Sequence, residues 1–378
     1  MDSHNLPYLF MEIALDEILT RTSPATLARC RGVCKTWNEA TYELRFSKLL
    51  NDKTETVSGI FIKDMRIFEY SYKFVSINNS EKGTSKLSLN FLPHKRFWIE
   101  AAAKQGLLLC LNNSRKPRVP EYIICKPTTQ QWEKLPNPRT RFFTLKTSLA
   151  VLGSNPFRYK IIRFSEPILP YPIKKRSLYT NIRCEIFDST TWKWKLLPEN
   201  YIKLPFCESL ATHEPSVSAS GFFYCPTTRR RLIAFDWEKE TWEVFGLPQP
   251  FCEDRSVQLV EYEGRLGLIR TARSECMEVW AMKNYRKKSW DLKKSVDITS
   301  LLEKENFCSS DPLMDLYCSD VALMKDRSDV AFCKLQGGLI SDEYKVRSVL
   351  SSKVDLFKLE SDMEPVELKR TLNILRLS

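Results

Sequence analysis

The chain has 378 residues, of which 43% are hydrophobic and 12% aromatic, a composition that excludes the intrinsically disordered class. Its length favours one large domain plus a small one over a single core. Lys and Arg outnumber Asp and Glu by 58 to 46, a formal net charge of +12 that favours acidic partners, and the absence of a long uncharged apolar run predicts no membrane span.

Residues 1–50 begin with two predicted helices that each have one apolar face. Residues 10–21 place five apolar side chains at helical spacing with acidic residues between them: Met11, Ala14, Leu15, Ile18 and Leu19. Ser23 followed by Pro24 is typical of the start of a second helix. That helix continues into the stripe of Leu27, Cys30, Val33, Cys34 and Trp37. Because 50 residues have little core of their own, we expect part of this apolar surface to meet a partner.

The segment E-I-L-T-R at 17–21, followed by L-A-R-C-R-G-V-C-K-T-W at 27–37, resembles the F-box. The F-box is the small helical motif that docks substrate receptors onto the Skp-type adaptor of cullin–RING ubiquitin ligases. The resemblance implies that the adaptor, and through it cullin and RING subunits, are partners. It also implies an adaptor-facing and supporting surface formed by Leu15, Ile18, Leu19, Leu27, Val33, Cys34 and Trp37.

From about residue 57 the sequence changes to short apolar runs separated by Pro, Gly, Asn and Ser. Examples are G-I-F-I, G-L-L-L-C-L, Y-K-I-I-R-F and G-F-F-Y, which are rich in the residue types that favour strands. Their number predicts an all-β domain.

An internal repeat runs through this region. Four segments (124–136, 186–198, 233–248 and 279–292) share a strand, a polar turn, a tryptophan and a second strand. Their tryptophans, at positions 132, 194, 242 and 290, recur at a period close to that of kelch blades, about 50 residues. We expect each indole to anchor its hairpin against a neighbour in a radial array.

The order of segments over roughly 100–295 resembles the F-box-associated interaction domain of plant F-box proteins. The matching segments include L-G-S-N-P-F-R-Y-K-I-I-R-F, E-I-F-D-S-T-T-W-K-W and L-V-E-Y-E-G-R-L-G-L-I-R. The fold class implied is α+β and multidomain, with a helical F-box at 1–50 and an all-β, kelch-like, propeller-type domain at 51–378. Residues 296–378 show no repeat that can be placed.

The residues that catalysis or metal binding would require are scarce. The three histidines, His4, His94 and His213, are too few for a histidine-based catalytic or metal site. Cys30 and Cys34 lie one helical turn apart, but no further ligands accompany them, and a buried helix face explains both. We therefore expect a non-catalytic protein without metal or cofactor.

Charge and cysteine content bear on partners and compartment. Residues 1–50 are neutral, so the basic excess lies in the β domain, including the runs 174–176, 229–231 and 286–288. These runs are predicted to be solvated turns, and a nucleic-acid partner is not expected. Twelve cysteines without a secretory signal predict reduced thiols and a location in the cytoplasm, the nucleus or both.

The function implied by the resemblance is substrate recognition for an SCF-type (Skp–cullin–F-box) ubiquitin ligase. The F-box docks to the adaptor and the β domain binds a protein target of unknown identity. The alternative is a kelch-like binding or scaffold protein that works without the adaptor. Phe10-Met11 and Thr22-Ser23 motivate this alternative, since F-boxes usually have Leu-Pro at these places.

Overall fold

The structure of the chain is a computed structural model. It describes residues 14–21, 30, 33, 36–37, 57–66, 69–76, 87–93, 96–112, 120–154, 156–167, 179–205, 207–254, 256–272, 276–299, 313–319, 321–325, 329–336, 339–347, 356–361, 366 and 368–369.

Two short helical turns lie near the N-terminus. Ala14–Ile18 forms a π-helical turn, and Leu19–Arg21 continues it as a 3-10 turn. Ile18 is 57% exposed whereas Leu19 is buried, so these two neighbours of the predicted apolar face differ in exposure. The predicted second helix falls mostly outside the described residues.

The described strands form six antiparallel sheets. A hairpin of β1 (Val57–Arg66) and β2 (Glu69–Ser76) comes first. The first blade contains β3 (Phe97–Ala103), β4 (Leu107–Asn112), β5 (Tyr122–Lys126) and β6 (Gln131–Lys134). The second contains β7 (Phe143–Ser154), β8 (Phe157–Glu166), β9 (Tyr179–Asp188) and β10 (Lys193–Pro205). The third contains β11 (Val217–Ala219), β12 (Phe222–Pro226), β13 (Arg231–Asp236) and β14 (Thr241–Gly246).

Two more blades and one C-terminal strand complete the described structure. The fourth blade contains β15 (Gln258–Tyr262), β16 (Arg265–Ala272), β17 (Cys276–Asn284) and β18 (Ser289–Asp297). The fifth contains β19 (Leu313–Cys318), β20 (Val321–Lys325), β21 (Asp329–Gln336) and β22 (Leu339–Arg347). The last strand, β23 (Leu356–Ser361), pairs with β1, so β23, β1 and β2 form a three-stranded closing sheet. Short 3-10 turns at Lys104–Gly106 and Pro127–Thr129 link strands of the first blade.

The hydrophobic core is divided among the interfaces between neighbouring sheets. On β4, Leu107 and Leu109 pack towards the second blade, while Leu108 and Cys110 pack towards the closing sheet. Both faces of such a strand are buried, which explains why its sequence is a continuous apolar run rather than an alternating one. One cluster joins the closing sheet to the first blade, and another joins it to the fifth. The sheets therefore form a closed ring, and the domain is a β-propeller.

The four predicted tryptophans occupy equivalent places. Each is the second residue of the outermost strand of its blade: Trp132 on β6, Trp194 on β10, Trp242 on β14 and Trp290 on β18. Two residues before each one the backbone takes a left-handed conformation, at Gln130, Trp192, Glu240 and Lys288. The sequence repeat is thus confirmed as a repeated turn and strand.

Trp194 shows how the repeat anchors one blade to another. Its indole N–H donates to the carbonyl of Pro136 at 2.7 Å, and its ring lies 5.9 Å from that of Tyr122 in the preceding blade. The sheet that precedes Trp132 is the three-stranded closing sheet, and Trp132 is 40% exposed. The prediction that an indole anchors its hairpin against a neighbour is therefore confirmed for Trp194.

The predicted fold class is confirmed in its β-propeller part, which makes the described chain nearly all-β. The segment 296–378, which showed no repeat, contains the fifth blade and the inner strand of the closing sheet. The helical part predicted for 1–50 lies largely outside the described residues.

Candidate functional site

The residues predicted to face an adaptor are only partly described. Val33 is 68% exposed, and its amide donates to the carbonyl of Cys30 in a tight turn. Trp37 is half-buried. Leu15 lies within the π-helical turn, but its side chain is outside the described part, as are Leu27 and Cys34.

Five large hydrophobic side chains are exposed in the described part of the chain: Ile18, Val33, Trp132, Phe143 and Leu292. Two of the five belong to residues 1–50, although that region supplies few of the described residues. Single exposed apolar side chains are common on protein surfaces. Ile18 and Val33 expose apolar surface area that a partner can cover.

A second candidate is a cleft of about 200 Å³ near the middle of the ring, which we call the inner cleft. It is lined by Lys63, Trp98, Ile99, Glu100, Leu145, Lys146, Thr147 and Thr212. The lining comes from the innermost strands of the first two blades, β3 and β7, together with β1 and the linker before β11.

The inner cleft is polar and carries charges of both signs. The Lys63 ammonium lies 5.4 Å from the Trp98 ring centroid, a cation–π distance. Thr147 donates to Glu100 at 3.3 Å, and the Lys146 ammonium donates to the carbonyl of Thr212 at 3.1 Å. These contacts hold the lining side chains against one another.

The linkers between blades are held by acidic side chains paired with arginines. A fully buried pair, Arg163 and Glu185, lies on the neighbouring strands β8 and β9 with Nη1 and Oε2 2.5 Å apart. It contacts the linker from the first blade to the second. The side chains had no distinguishing sequence pattern, because charged residues inside strands usually face water. Sequence reasoning therefore missed them.

The next two linkers use the same kind of pair at lower burial. Glu208 accepts from Thr227 and from Arg231 of β13. Burial alone would raise the pKa of Glu208, but the hydrogen bonds from Arg231 and Thr227 hold that pKa below its ordinary value. Asp254 accepts from Ser256 and from Arg270 of β16, and these bonds outweigh burial and lower the pKa of Asp254.

Among the described residues, the histidine is exposed and several buried cysteines have raised pKa values. His213 is exposed in the linker to β11. None of the ten cysteines in the described part forms a disulfide, and burial raises the pKa of Cys225 to about 12. The thiols of Cys110 and Cys125 form a hydrogen bond with their sulfur atoms 4.0 Å apart. This hydrogen bond, together with burial, raises the pKa of Cys110 well above its ordinary value. Such thiols stay protonated and unreactive near neutral pH.

No group of three or more potential metal ligands occurs among the described residues. In the same part of the chain, no helix is long and apolar enough to cross a membrane.

Comparison with protein families matches two regions of the chain. The profile of the F-box associated beta propeller domain matches residues 60–311, and that of the F-box domain matches residues 4–49. The propeller match ends before β19, so the fifth blade and β23 lie beyond it.

Relatives with similar sequences come from Arabidopsis thaliana. The F-box protein At5g41720 is 39% identical over 156 residues, covering 40% of this chain and 83% of the relative. The F-box protein At5g49610 is 25% identical over 311 residues, covering 77% of this chain and 79% of the relative. The putative F-box protein At3g17490 is 28% identical over 294 residues, covering 73% and 70%.

Proposed function

Because the chain belongs to the plant F-box proteins that carry an F-box-associated β-propeller domain, we propose that it is the substrate-recognition subunit of an SCF-type ubiquitin ligase. The observation that carries the proposal is the F-box match over residues 4–49. In this role residues 1–50 bind the Skp-type adaptor and, through it, cullin and RING subunits. The propeller binds the protein target.

The chain's contribution is proximity rather than chemistry. Holding a target beside the ubiquitin-conjugating enzyme converts a bimolecular encounter into an effectively intramolecular one. The described residues support a binding role, since the exposed apolar side chains and the polar inner cleft offer contact surface, whereas the buried thiols are protonated. We also propose that the protein acts in the cytoplasm, the nucleus or both, where its cysteines stay reduced.

The adaptor surface is proposed to include Ile18 and Val33, which are exposed in the unbound chain. The other predicted members, Leu15, Leu19, Leu27, Cys34 and Trp37, then support or extend it. Leu19 is buried and is assigned the supporting role.

The test is adaptor binding by the variant I18D/V33D. Burying a charge at an interface that expects an apolar anchor costs about 2 kcal/mol or more, so we expect adaptor affinity to fall at least tenfold. A purified Skp-type adaptor and biolayer interferometry give the affinity directly. Both substitutions lie at exposed positions, so the variant should keep the circular dichroism and melting temperature of the wild type.

The matched control is L292D. Leu292 is 47% exposed on β18 and belongs to the propeller, so the same change there should leave adaptor affinity unaltered. If the wild type binds the adaptor and a folded I18D/V33D binds equally well, the assigned surface is wrong. If the wild type binds no adaptor at all, the adaptor-independent alternative replaces the proposal.

A further inference from the structure

The linker between the first and second blades displays its side chains in an alternating pattern. Arg139, Arg141 and Phe143 are exposed, whereas Thr140 and Phe142 between them are half-buried. Phe143 is 65% exposed, although it begins the innermost strand of its blade. We call Arg139, Arg141 and Phe143 the linker patch. It presents two guanidinium groups and one aromatic ring to solvent within five residues.

The backbone beneath the linker patch is held by the carboxylate of Glu185. Its Oε1 accepts from the amides of Arg139 and Thr140 at 2.7 and 2.9 Å. Its Oε2 accepts from the Thr140 hydroxyl at 2.7 Å. The acidic partner is therefore bonded to the linker on both oxygens.

Arg163 is bonded to the same segment. Its Nη2 donates to the carbonyl of Phe142 at 2.5 Å, and its Nε donates to the Thr144 hydroxyl at 2.8 Å. Its Nη1 reaches both Glu185 and the Thr140 hydroxyl. Both side chains of the ion pair are completely buried, and their hydrogen bonds fix residues 139–144 in one conformation.

A fully buried ion pair is a costly way to hold a surface segment, because both charges lose their hydration. Its effect here is to order the backbone of three exposed residues before any partner arrives. Preorganisation of this kind raises affinity by removing the entropy cost of ordering a loop on binding. The arrangement is that of a recognition surface with a rigid support.

We propose that the linker patch binds an acidic segment of the target protein, with carboxylates on Arg139 and Arg141 and an apolar side chain against Phe143. Arginine pairs with carboxylates through two parallel hydrogen bonds, and exposed aromatic residues and arginines are the residues that dominate interface energies. Among the described residues no carboxylate pairs with either guanidinium. The net charge of +12 adds attraction for an acidic partner.

The neighbouring inner cleft favours a peptide over a nucleic acid. The strand that starts at Phe143 continues into Leu145, Lys146 and Thr147, which line that cleft beside Glu100. The cleft carries Lys63 and Lys146 beside Glu100, which suits a chain of mixed charge, whereas a nucleic acid offers only phosphates and has no cation to match Glu100. A peptide can place its acidic residues opposite the two arginines alone. Recognition by stacking would also require several aromatic rings, and the patch has one.

This inference rests on the proposed function for the nature of its ligand, a target protein, but it is tested without the adaptor. The full chain is used as bait for a display library of random 12-residue peptides. We expect enriched peptides to be rich in Asp and Glu around an aliphatic or aromatic residue. The most enriched peptide is then labelled, and its affinity is measured by fluorescence anisotropy. Compared with the wild type, R139E/R141E should bind it at least tenfold more weakly and F143S severalfold more weakly.

Matched variants separate the linker patch from general charge. Arg286 and Lys287 are exposed in the turn between β17 and β18, at the opposite end of the blades from the linkers. R286E/K287E makes the same change in net charge as R139E/R141E and should bind the peptide like the wild type. L292S is the corresponding control for F143S.

Several outcomes would overturn the inference. No enrichment, enrichment of neutral or basic peptides, or equal binding by R139E/R141E would each do so. So would binding of a labelled 12-nucleotide uridine RNA that depends on Arg139 and Arg141 in the absence of acidic-peptide binding. All variants should keep wild-type adaptor affinity, so failure here with adaptor binding intact contradicts this inference alone. Loss of adaptor binding by the wild type would contradict the proposed function instead.

Discussion

The linkers into the second and the fourth blades are held by the same chemical pair in two different environments. Into the second blade, Glu185 and Arg163 are completely buried and share eight hydrogen bonds with one another and with residues 139–144. Into the fourth, Asp254 and Arg270 are each about a quarter exposed, and Nε and Oδ2 lie 2.7 Å apart. The two pairs have similar distances between their charged atoms but differ in exposure to solvent.

The difference shows that burial, rather than ion-pair geometry, decides what such a contact does. An exposed pair exchanges protein contacts for water contacts at little net gain. A buried pair cannot make that exchange, so removing one partner leaves an uncompensated charge in the interior. The linker into the third blade has an intermediate degree of burial, because Glu208 is buried whereas Arg231 is more than a third exposed.

The largest effect should come from replacing Glu185 by methionine. E185M leaves the Arg163 charge buried without its partner and two linker amides without acceptors, so the free energy of unfolding should fall by about 3–5 kcal/mol. Urea titration followed by tryptophan fluorescence measures it. The double variant R163M/E185M removes both charges and should be less destabilised than E185M. A double variant that is as unstable as the sum of both single variants would show that the pair is not coupled.

A smaller effect is expected from E208Q, at about 2 kcal/mol, because Glu208 is buried but its arginine can be hydrated. The pKa of Glu208 is lower in the folded chain than its ordinary value of 4.5. The charged carboxylate therefore contributes fully to the free energy of unfolding at pH values above the ordinary pKa. This contribution is lost as the pH falls through the lowered pKa of the folded chain. The difference in unfolding free energy between wild type and E208Q should narrow in acid. A difference that is constant from pH 7 to pH 3 would contradict the role given to the charge.

The smallest effect should follow from D254N. Asparagine keeps an oxygen for the Ser256 bonds, and the partly exposed Arg270 can turn to water or stay beside Glu278, so the expected cost is below about 1 kcal/mol. Raising the salt concentration should reduce this cost further, whereas the cost of E185M should hardly change. If D254N destabilised the chain as much as E185M, burial would not be the deciding variable.

The parts of the fold that repeat locally were predictable from sequence. The tryptophans at 132, 194, 242 and 290 mark a turn and strand that are complete within about 20 residues, and the strand types follow from their composition. The fifth blade has no such tryptophan on β22, so residues 296–378 show no sequence repeat. The pairing of β1 with β23 joins residues about 300 apart, and no local pattern reports such a contact.

The candidate sites divide in the same way. Val33 and Ile18 followed from a local motif, and the structure describes both as exposed. The linker patch did not, because Arg139 and Arg141 look like ordinary loop residues in the sequence. What distinguishes them is the ion pair beneath, and its members are 22 residues apart on two strands whose register had to be known first.

The closing sheet also sets an order of events during synthesis. β1 and β2 leave the ribosome early, and their partner β23 begins only at Leu356, after every other described strand. Because synthesis proceeds at roughly 5–20 residues per second, the edge of β1 that pairs with β23 stays unpaired for tens of seconds. During that time an unpaired strand edge next to Phe61 and Ile62 is open to wrong partners. Chaperone demand should therefore concentrate on the first hairpin, and ring closure should be the last step of folding.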